Sequence, residues 1–506
     1  MSTMKTLATA MVAVAGSVAG NAHAISIITN PTPGAILYMA GATAQENNVE
    51  RAVISLCKAN TTDFYYDGTP GNPTPSGSND RAYYCLSQGV SGLVDGTKIM
   101  IRKTSTTTRS QQGTAPIVTY NPPIGGSALG VYPVRFSTKL DVMPLNASAC
   151  GTSPTGTKTV SMPTGNITVP LWSCSITAPQ LSYPEMGVAD VDPLLFKGEN
   201  LPSVGFKALT PLQVKGLKIQ ASGHLGFNTP VTVKLRNALQ EAQIAEGKLP
   251  AGCVGQETEE CMPSLSSSLV ASLLQGNVGD WNKVKVKNGG SLVGLFDFAS
   301  SGNRPTSSLV KLCTRESGSG TKAAIQATFM RYPCTAGALP MTTLNDPIQG
   351  PLVTENASSG AVDNCLDGSD DGNWALGILA TDRNVPSSGV FPKKYRYIKI
   401  NGVSPTLENL ASGSYPYAAD GVYLWKTSLG GSKLLLAQAI AAKATEAAIL
   451  KASNKTYPWG TSGYLAYSST ASADLLNNPV TSLGYGSPTN DCAVPAVSLF
   501  DDEVRM

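Results

Sequence analysis

The sequence predicts an α/β fold. Strand-like runs at 217–221, 292–296 and 395–400 alternate with helical runs, and this alternation is typical of α/β proteins. Of the 506 residues, 42% are hydrophobic, which is enough for a sizeable core, and the length suits two or three domains. Only 14% are charged, with 37 Lys and Arg against 34 Asp and Glu, and no basic stripe stands out. A nucleic-acid-binding surface is therefore not indicated.

The first 24 residues have the features of a secretory signal peptide. Lys5 supplies the positive charge, Leu7 to Ala19 is a short run of apolar and small residues, and Ala22-His23-Ala24 matches an A-x-A cleavage site. The run is shorter than the roughly 20 residues that span a bilayer. No Cys follows the cleavage site to carry a lipid anchor. We therefore expect a periplasmic or secreted protein.

Further elements follow along the chain. The first predicted strand covers 36–41, the first helix runs from Ala44 to Ala59, and residues 98–102 form the next strand. Residues 60–97 are predicted to be a polar loop segment that leaves the core fold. Residues 112–182 are rich in Pro, Gly and Thr, and we interpret them as a β-rich or loop insertion on the core fold. The later predicted helices are Val233–Glu246, Ser264–Leu274, Thr321–Met330 and Lys433–Ala452.

The cysteine content indicates disulfide bonds. Ten cysteines form an even set, which predicts five disulfides in an oxidising compartment. The sequence has no C-x-x-C motif and no Cys/His cluster, so neither a metal site nor another cofactor is expected. Sequence does not fix the connectivity, and pairing between neighbours is our hypothesis. The expected bonds are Cys57–Cys85, Cys150–Cys174, Cys253–Cys261, Cys313–Cys334 and the long-range Cys365–Cys492.

The sharpest local signal is a Gly/Ser turn that opens a helix. Arg315 and Glu316 precede Ser317-Gly318-Ser319-Gly320-Thr321, and a helical run follows directly. Free N–H groups and the positive end of the helix dipole attract anions at such a start. Ser319 and Thr321 add hydroxyl donors, and Arg315 offers a guanidinium fork. An ordinary capped helix is the alternative, and the spacing excludes a Walker A loop.

Two more turns follow predicted strands, and the order of the three is informative. They are Gly41-Ala42-Thr43 and Gly187-Val188-Ala189-Asp190, each of which plain turn chemistry also explains. Together with the Arg315 segment, they resemble the phosphate-binding proteins of ABC transporters (PstS type). The runs SLVASLLQGNVGDWN, NWALGILATD and INGVSPTLENLASGSYPY are similar to further segments of that family. The resemblance covers most of 36–60 and 185–465.

This resemblance implies the two-lobe periplasmic-binding-protein fold, with a ligand in the cleft between two α/β lobes. Lobe I would comprise 25–225 and 384–506, with the insertion at about 112–182, and lobe II would comprise 226–383. The resemblance also implies an exported monomer, not an enzyme. It would capture phosphate or a similar tetrahedral oxyanion for uptake, with an ABC transporter membrane component as partner.

Carried over residue by residue, the resemblance implies a cage of hydrogen-bond donors with one acidic residue. Its members are Thr43, Ser105, Asp190, Arg315, Ser319, Gly320 and Thr321, with Ser110 as the alternative to Ser105. An ionised Asp190 only accepts hydrogen bonds, so it would receive the proton of phosphate and reject the unprotonated sulfate. The chain departs from the family at Ala44, where an aromatic residue is usual, and in its large insertions.

Two other functions stay open. The Thr/Pro/Gly-rich stretch and five disulfides also fit an extracellular structural or adhesive protein that kept the fold. A secreted phosphatase-like enzyme is the second alternative. It lacks an evident metal or nucleophile constellation. His224 is the sole histidine beyond the signal peptide that could act as a base, and no G-x-S-x-G motif accompanies it.

Overall fold

The computed structural model describes residues 26–68, 80–176, 179–202, 205–383 and 393–467, with short pieces at 480–481, 492, 495–497 and 503–505. The predicted signal peptide at 1–24 lies outside these residues. The structure mixes helices with several sheets, so the predicted α/β class is confirmed.

The helices follow the predictions closely at 233–246 and 321–330, whereas the helix predicted at 433–452 is divided into two. In the ranges given above, no helix has the length and apolar character needed to cross a bilayer. The α-helices are α1 (Glu46–Ile54), α2 (Ser127–Phe136), α3 (Ala147–Cys150), α4 (Pro211–Val214), α5 (Val233–Ala245), α6 (Ser267–Leu274), α7 (Leu295–Phe298), α8 (Gly320–Met330), α9 (Ser359–Asp367), α10 (Leu407–Ala411), α11 (Gly431–Ala444) and α12 (Ala447–Ser453).

The strands are short and many. They are β1 (Ala35–Gly41), β2 (Asp63–Asp67), β3 (Asp80–Leu86), β4 (Lys98–Thr104), β5 (Thr106–Gln112), β6 (Val118–Gly125), β7 (Thr138–Val142), β8 (Gly156–Met162), β9 (Gly165–Cys174), β10 (Gln180–Ser182), β11 (Met186–Ala189), β12 (Leu217–Asn228), β13 (Val231–Thr232), β14 (Ser264–Leu265), β15 (Lys285–Asn288), β16 (Ser291–Gly294), β17 (Ser307–Arg315), β18 (Leu352–Asn356), β19 (Asn373–Gly377), β20 (Leu379–Ala380), β21 (Tyr395–Arg396), β22 (Lys399–Ile400), β23 (Ala418–Lys426), β24 (Lys455–Tyr457), β25 (Gly460–Ser462), β26 (Tyr464–Tyr467), β27 (Val480–Thr481), β28 (Pro495–Val497) and β29 (Glu503–Arg505).

The largest sheet has twelve strands, in the order β27-β26-β12-β23-β11-β1-β4-β3-β2-β9-β8, with β20 paired to β12. Strand β1 runs parallel to both of its neighbours, β4 and β11. The prediction that 60–97 is only a polar loop segment is wrong, because strands β2 and β3 lie within it. Their aromatic side chains Phe64, Tyr66 and Tyr83 are buried in an apolar cluster, and aromatic residues pack well on a sheet surface.

Part of the predicted insertion at 112–182 belongs to the core. Helix α2 packs against β1 and β11. The approach is so close that a Cβ on Gly130 would lie 2.3 Å from the Val188 carbonyl oxygen. Strand β9 extends the large sheet by pairing with β2. The more peripheral part is a four-stranded sheet, in the order β10-β7-β5-β6.

A five-stranded sheet has the order β18-β17-β19-β13-β21, with β17 parallel to both β18 and β19. It includes β21, which lies beyond residue 384, where we expected the chain to return to lobe I; the lobe boundaries stay a prediction. One apolar cluster contains side chains from both large sheets, including Leu225, Leu312 and Leu376. The two sheets are therefore held together by continuous hydrophobic packing.

All ten cysteines form disulfides, and three of the expected pairs are confirmed: Cys57–Cys85, Cys150–Cys174 and Cys253–Cys261. The other two predicted pairs, Cys313–Cys334 and Cys365–Cys492, are wrong. The bonds are Cys313–Cys365 and Cys334–Cys492. Cys313 lies on β17 and Cys365 on α9, which packs against β17, so tertiary contact overrides distance along the chain.

Candidate functional site

The candidate site lies where two pairs of parallel strands end. In the large sheet, β1 leads into Thr43 and its parallel neighbour β11 leads into Asp190. In the smaller sheet, β17 ends at Arg315, and the parallel strand β18 ends at Asn356, just before α9. Ligands of α/β proteins bind beyond the carboxyl ends of parallel strands. The topology therefore brings together turns that are distant in sequence.

Arg315 is the centre of this arrangement and is 1% exposed. Its Nε donates to the Asn356 carbonyl (3.0 Å) and its Nη2 to the Ala357 carbonyl (3.0 Å). Its Nη1 donates to the hydroxyls of Thr43 (3.3 Å) and Ser359 (3.2 Å). Burial lowers the pKa of Arg315 to about 10, against the opposing effect of nearby Glu316 and Asp190. The side chain is therefore a buried cation at neutral pH.

Asp190 is also buried, and its hydrogen-bond partners lie at the starts of α1, α2 and α8. Gln45 Nε2 lies 3.4 Å from Oδ1, and the Thr321 hydroxyl donates to Oδ2 over 3.4 Å. The backbone N–H of Asp190 donates to the Ser127 hydroxyl (3.0 Å). Burial raises the pKa of Asp190 to about 6, although the Arg315 charge and the hydrogen bond from Gln45 oppose this. The carboxylate is thus ionised at neutral pH but protonates in mild acid.

Two helix N-termini meet beside Asp190. Ser319 is the N-cap of α8, and its hydroxyl accepts from the Lys322 N–H (3.2 Å), as the capping alternative predicted. Gly320 comes so close to α2 that an added Cβ would lie 2.2 Å from Ser127 Oγ and 2.8 Å from Asp190 Cβ. Only glycine fits here, because any side chain would collide with both residues. The positive ends of both dipoles therefore face one small volume.

Ser105, the remaining predicted site residue, lies outside the hydrogen-bond network of Arg315 and Asp190. The Ser105 hydroxyl donates to the Glu46 carboxylate (3.1 Å) and accepts from Lys103, so it belongs to an ion-pair network at the start of α1. The alternative, Ser110, lies on β5 and bonds with the Tyr120 hydroxyl (2.9 Å). Neither serine forms a hydrogen bond with Arg315 or Asp190 in the described chain.

Two serines that the sequence analysis did not select do lie in the site. Ser127 opens α2 after a Gly-Gly pair, and Ser359 opens α9. Both follow a strand and begin a helix, which is the same local signal that identified Ser319. The composition of 112–182 indicates an insertion and so gives no reason to select Ser127, and nothing local links Ser359 to Arg315. Ser359 bonds Thr43 directly, with 3.0 Å between the hydroxyl oxygens.

An acidic cavity of about 370 Å³ lies beside the end of β17. Its lining includes Glu199, Glu316 and Glu355. Burial raises the pKa of Glu316 to about 7, against the lowering effect of Arg315. Partial protonation of Glu316 near neutral pH therefore reduces the negative charge next to Arg315.

Metal and histidine chemistry each depend on particular groupings of side chains. No group of three or more His, Cys, Asp or Glu side chains in the ranges described could hold a metal ion. His224 lies within β12, and its Nδ1 is 2.9 Å from Asp420 Oδ1 on the adjacent strand β23.

No protein-family model and no curated protein matches the chain. Among solved structures, it is similar to a protein of Clostridium perfringens described as a phosphate ABC transporter substrate-binding protein and solved with bound phosphate. That match has 12% identity and a TM-score of 0.37, over 80% of this chain and 92% of the other. An ABC-type phosphate transport receptor from Vibrio cholerae matches with 12% identity and a TM-score of 0.27, over 51% and 74% of the two chains. PstS from Borrelia burgdorferi matches with 13% identity and a TM-score of 0.27, over 56% and 79%.

Proposed function

We propose that this chain is an exported binding protein that captures phosphate, or a similar tetrahedral oxyanion, between its two α/β lobes for uptake. The ligand would be held by Thr43, Asp190, Arg315, Ser319, Gly320 and Thr321, with Ser127 beside them. The binding protein would act as a monomer without catalysis and would deliver its ligand to an ABC transporter component in the membrane.

The observation that carries this proposal is the environment of Arg315. The guanidinium is almost fully buried, and all its hydrogen-bond acceptors in the described chain are neutral oxygens. No carboxylate in the described chain forms an ion pair with Arg315, and hydrogen bonds to neutral oxygens repay less of the desolvation cost than an adjacent opposite charge would. A bound oxyanion would supply that charge, and the N-termini of α2 and α8 lie close together beside Asp190.

The proposal is tested by calorimetric titration of phosphate into the mature protein, its Arg315→Ala variant and its Arg315→Lys variant. We expect wild type to bind, and Arg315→Ala to weaken binding by about 2–4 kcal/mol because a charge-assisted pair is lost. Lysine should restore only part of this, since a point charge does not reproduce the guanidinium fork.

Arg331→Ala is the matched control. Arg331 is the residue after α8, so the substitution removes the same charge from the opposite end of the same helix. This variant should bind phosphate like wild type. Equal affinity in wild type and Arg315→Ala would contradict the site, and the absence of binding in a folded wild-type protein would contradict the function.

A structural or adhesive protein is the second candidate, and one observation favours it. The elements of the two sheets already bond each other directly across the site. The Ala128 N–H donates to the Gly318 carbonyl (2.8 Å), and the Gly318 N–H donates to the Asn200 carbonyl (3.0 Å). A protein locked in this state would not exchange a ligand. Titration with phosphate, sulfate and arsenate distinguishes the two candidates, because a structural protein would bind none of them.

A further inference from the structure

The structure assigns a ligand-binding role to Ser359, which lies outside the three sequence segments that define the proposed site. We propose that the Ser359 hydroxyl donates a hydrogen bond to an unprotonated oxygen of the bound oxyanion. This inference rests on the proposed function and adds a hydrogen-bond donor to the proposed site.

Three groups meet at this point. Ser359 Oγ lies 3.0 Å from Thr43 Oγ1 and 3.2 Å from Arg315 Nη1. The backbone N–H of Ser359 also donates to Thr43 Oγ1 (3.2 Å), which in turn accepts from Arg315 Nη1 (3.3 Å). Thr43 follows β1 of the large sheet, and Ser359 follows β18 of the five-stranded sheet. Their exposures are 4% and 1%.

The direction of each hydroxyl proton follows from counting donors and acceptors. A hydroxyl has two lone pairs and one proton. Thr43 Oγ1 already accepts from Ser359 N–H and from Arg315, so in its bond with Ser359 Oγ it must be the donor. Ser359 Oγ then accepts from Thr43 and from Arg315, which occupies both of its lone pairs.

The proton of Ser359 is therefore left over. It has no acceptor among the described residues, and a buried donor without an acceptor is unfavourable. Arg315 also has an unused donor. Its guanidinium group carries five N–H groups, and it donates four hydrogen bonds to described residues. The unused N–H is on Nη2 of the same guanidinium group whose Nη1 contacts Ser359, so an oxyanion that binds beside this group would accept from both donors. Asp190 would receive the proton of monohydrogen phosphate, while Ser359 would contact an oxygen that carries none.

The neighbouring serine provides a matched control. Ser358 is the N-cap of α9, and its hydroxyl accepts from the Ala361 N–H (3.2 Å). Removing it weakens the helix start but takes no donor from the site. Ser359→Ala removes the proposed donor and leaves the cap, and Ser359→Thr keeps a hydroxyl at the same position. The three variants therefore separate ligand contact from helix stability.

The experiment is calorimetric titration of phosphate into the full mature protein and the three variants, together with urea unfolding of each without phosphate. We expect Ser359→Ala to lose about 10- to 100-fold in phosphate affinity, the effect of one hydrogen bond to a charged group. Ser359→Thr should stay within about threefold of wild type, and Ser358→Ala should bind like wild type while unfolding at lower urea concentration.

Wild-type binding with unchanged affinity in Ser359→Ala would overturn this inference and leave the proposed function standing. So would a loss in Ser359→Ala that Ser358→Ala matches, because that would indicate a purely structural effect. A folded wild-type protein that binds no phosphate would overturn both.

Discussion

Selectivity between phosphate and sulfate should change with pH in a way that Asp190 determines. The carboxyl group is 2% exposed and has Thr321, Gln45 and the Arg315 charge around it. Burial raises its pKa to about 6. Above that pH the ionised group can only accept hydrogen bonds, so it repels the unprotonated oxygens of sulfate. Below that pH the protonated group can donate to sulfate, and the repulsion is gone.

The size of the effect follows from the protonated fraction. With a pKa of about 6, roughly 1% of Asp190 is protonated at pH 8 and roughly 90% at pH 5. When a ligand binds only one form, its apparent affinity scales with the population of that form. Sulfate affinity should therefore rise by about 90-fold from pH 8 to pH 5. Sulfate itself does not titrate in this interval, so the change belongs to the protein.

The assay is calorimetric titration of sulfate at pH 8 and pH 5, at one ionic strength, into wild type and Asp190→Asn. The asparagine variant should bind sulfate more tightly than wild type at pH 8 and should lose most of the pH dependence, while phosphate affinity changes less. Glu316 also titrates near neutral pH, since burial raises its pKa to about 7. Glu316→Gln is therefore the control, and its pH dependence should resemble that of wild type. Equal sulfate affinity at both pH values in wild type, or the same slope in Asp190→Asn, would refute the reasoning.

Two further predictions concern packing and covalent structure. Gly320→Ala places a Cβ 2.2 Å from Ser127 Oγ, so it should destabilise the protein by about 1–3 kcal/mol in urea unfolding and reduce phosphate binding. Gly302→Ala, whose Cβ would meet nothing within 4 Å, should do neither, and equal stability of the two variants would contradict the close contact. Non-reducing peptide mapping should find Cys313–Cys365 and Cys334–Cys492 and no free thiol, whereas a Cys313–Cys334 peptide would contradict the fold described here.

Several features could be predicted from the sequence because their causes are local. The Gly/Ser turn at 317–320 does open a helix, since Ser319 caps α8 through an atom three residues away. Strand β1 and helix α5 are also predicted from the sequence, because the residue types in these runs favour a strand and a helix through interactions between neighbours along the chain. The disulfides that close within 8 to 28 residues were also paired correctly.

The tertiary structure alone decided which of these local features meet. Ser105 and Ser359 each have a hydroxyl beside a strand end, but only the strand order of the two sheets places Ser359 against Arg315 and turns Ser105 toward Glu46. Cys313 pairs with Cys365 rather than Cys334 because α9, which carries Cys365, packs against the strand that carries Cys313. Helix α2 likewise belongs to the core because it packs against β1 and β11, which are distant from it in sequence. Such contacts depend on crossovers and packing between distant segments, and no short window of sequence contains that information.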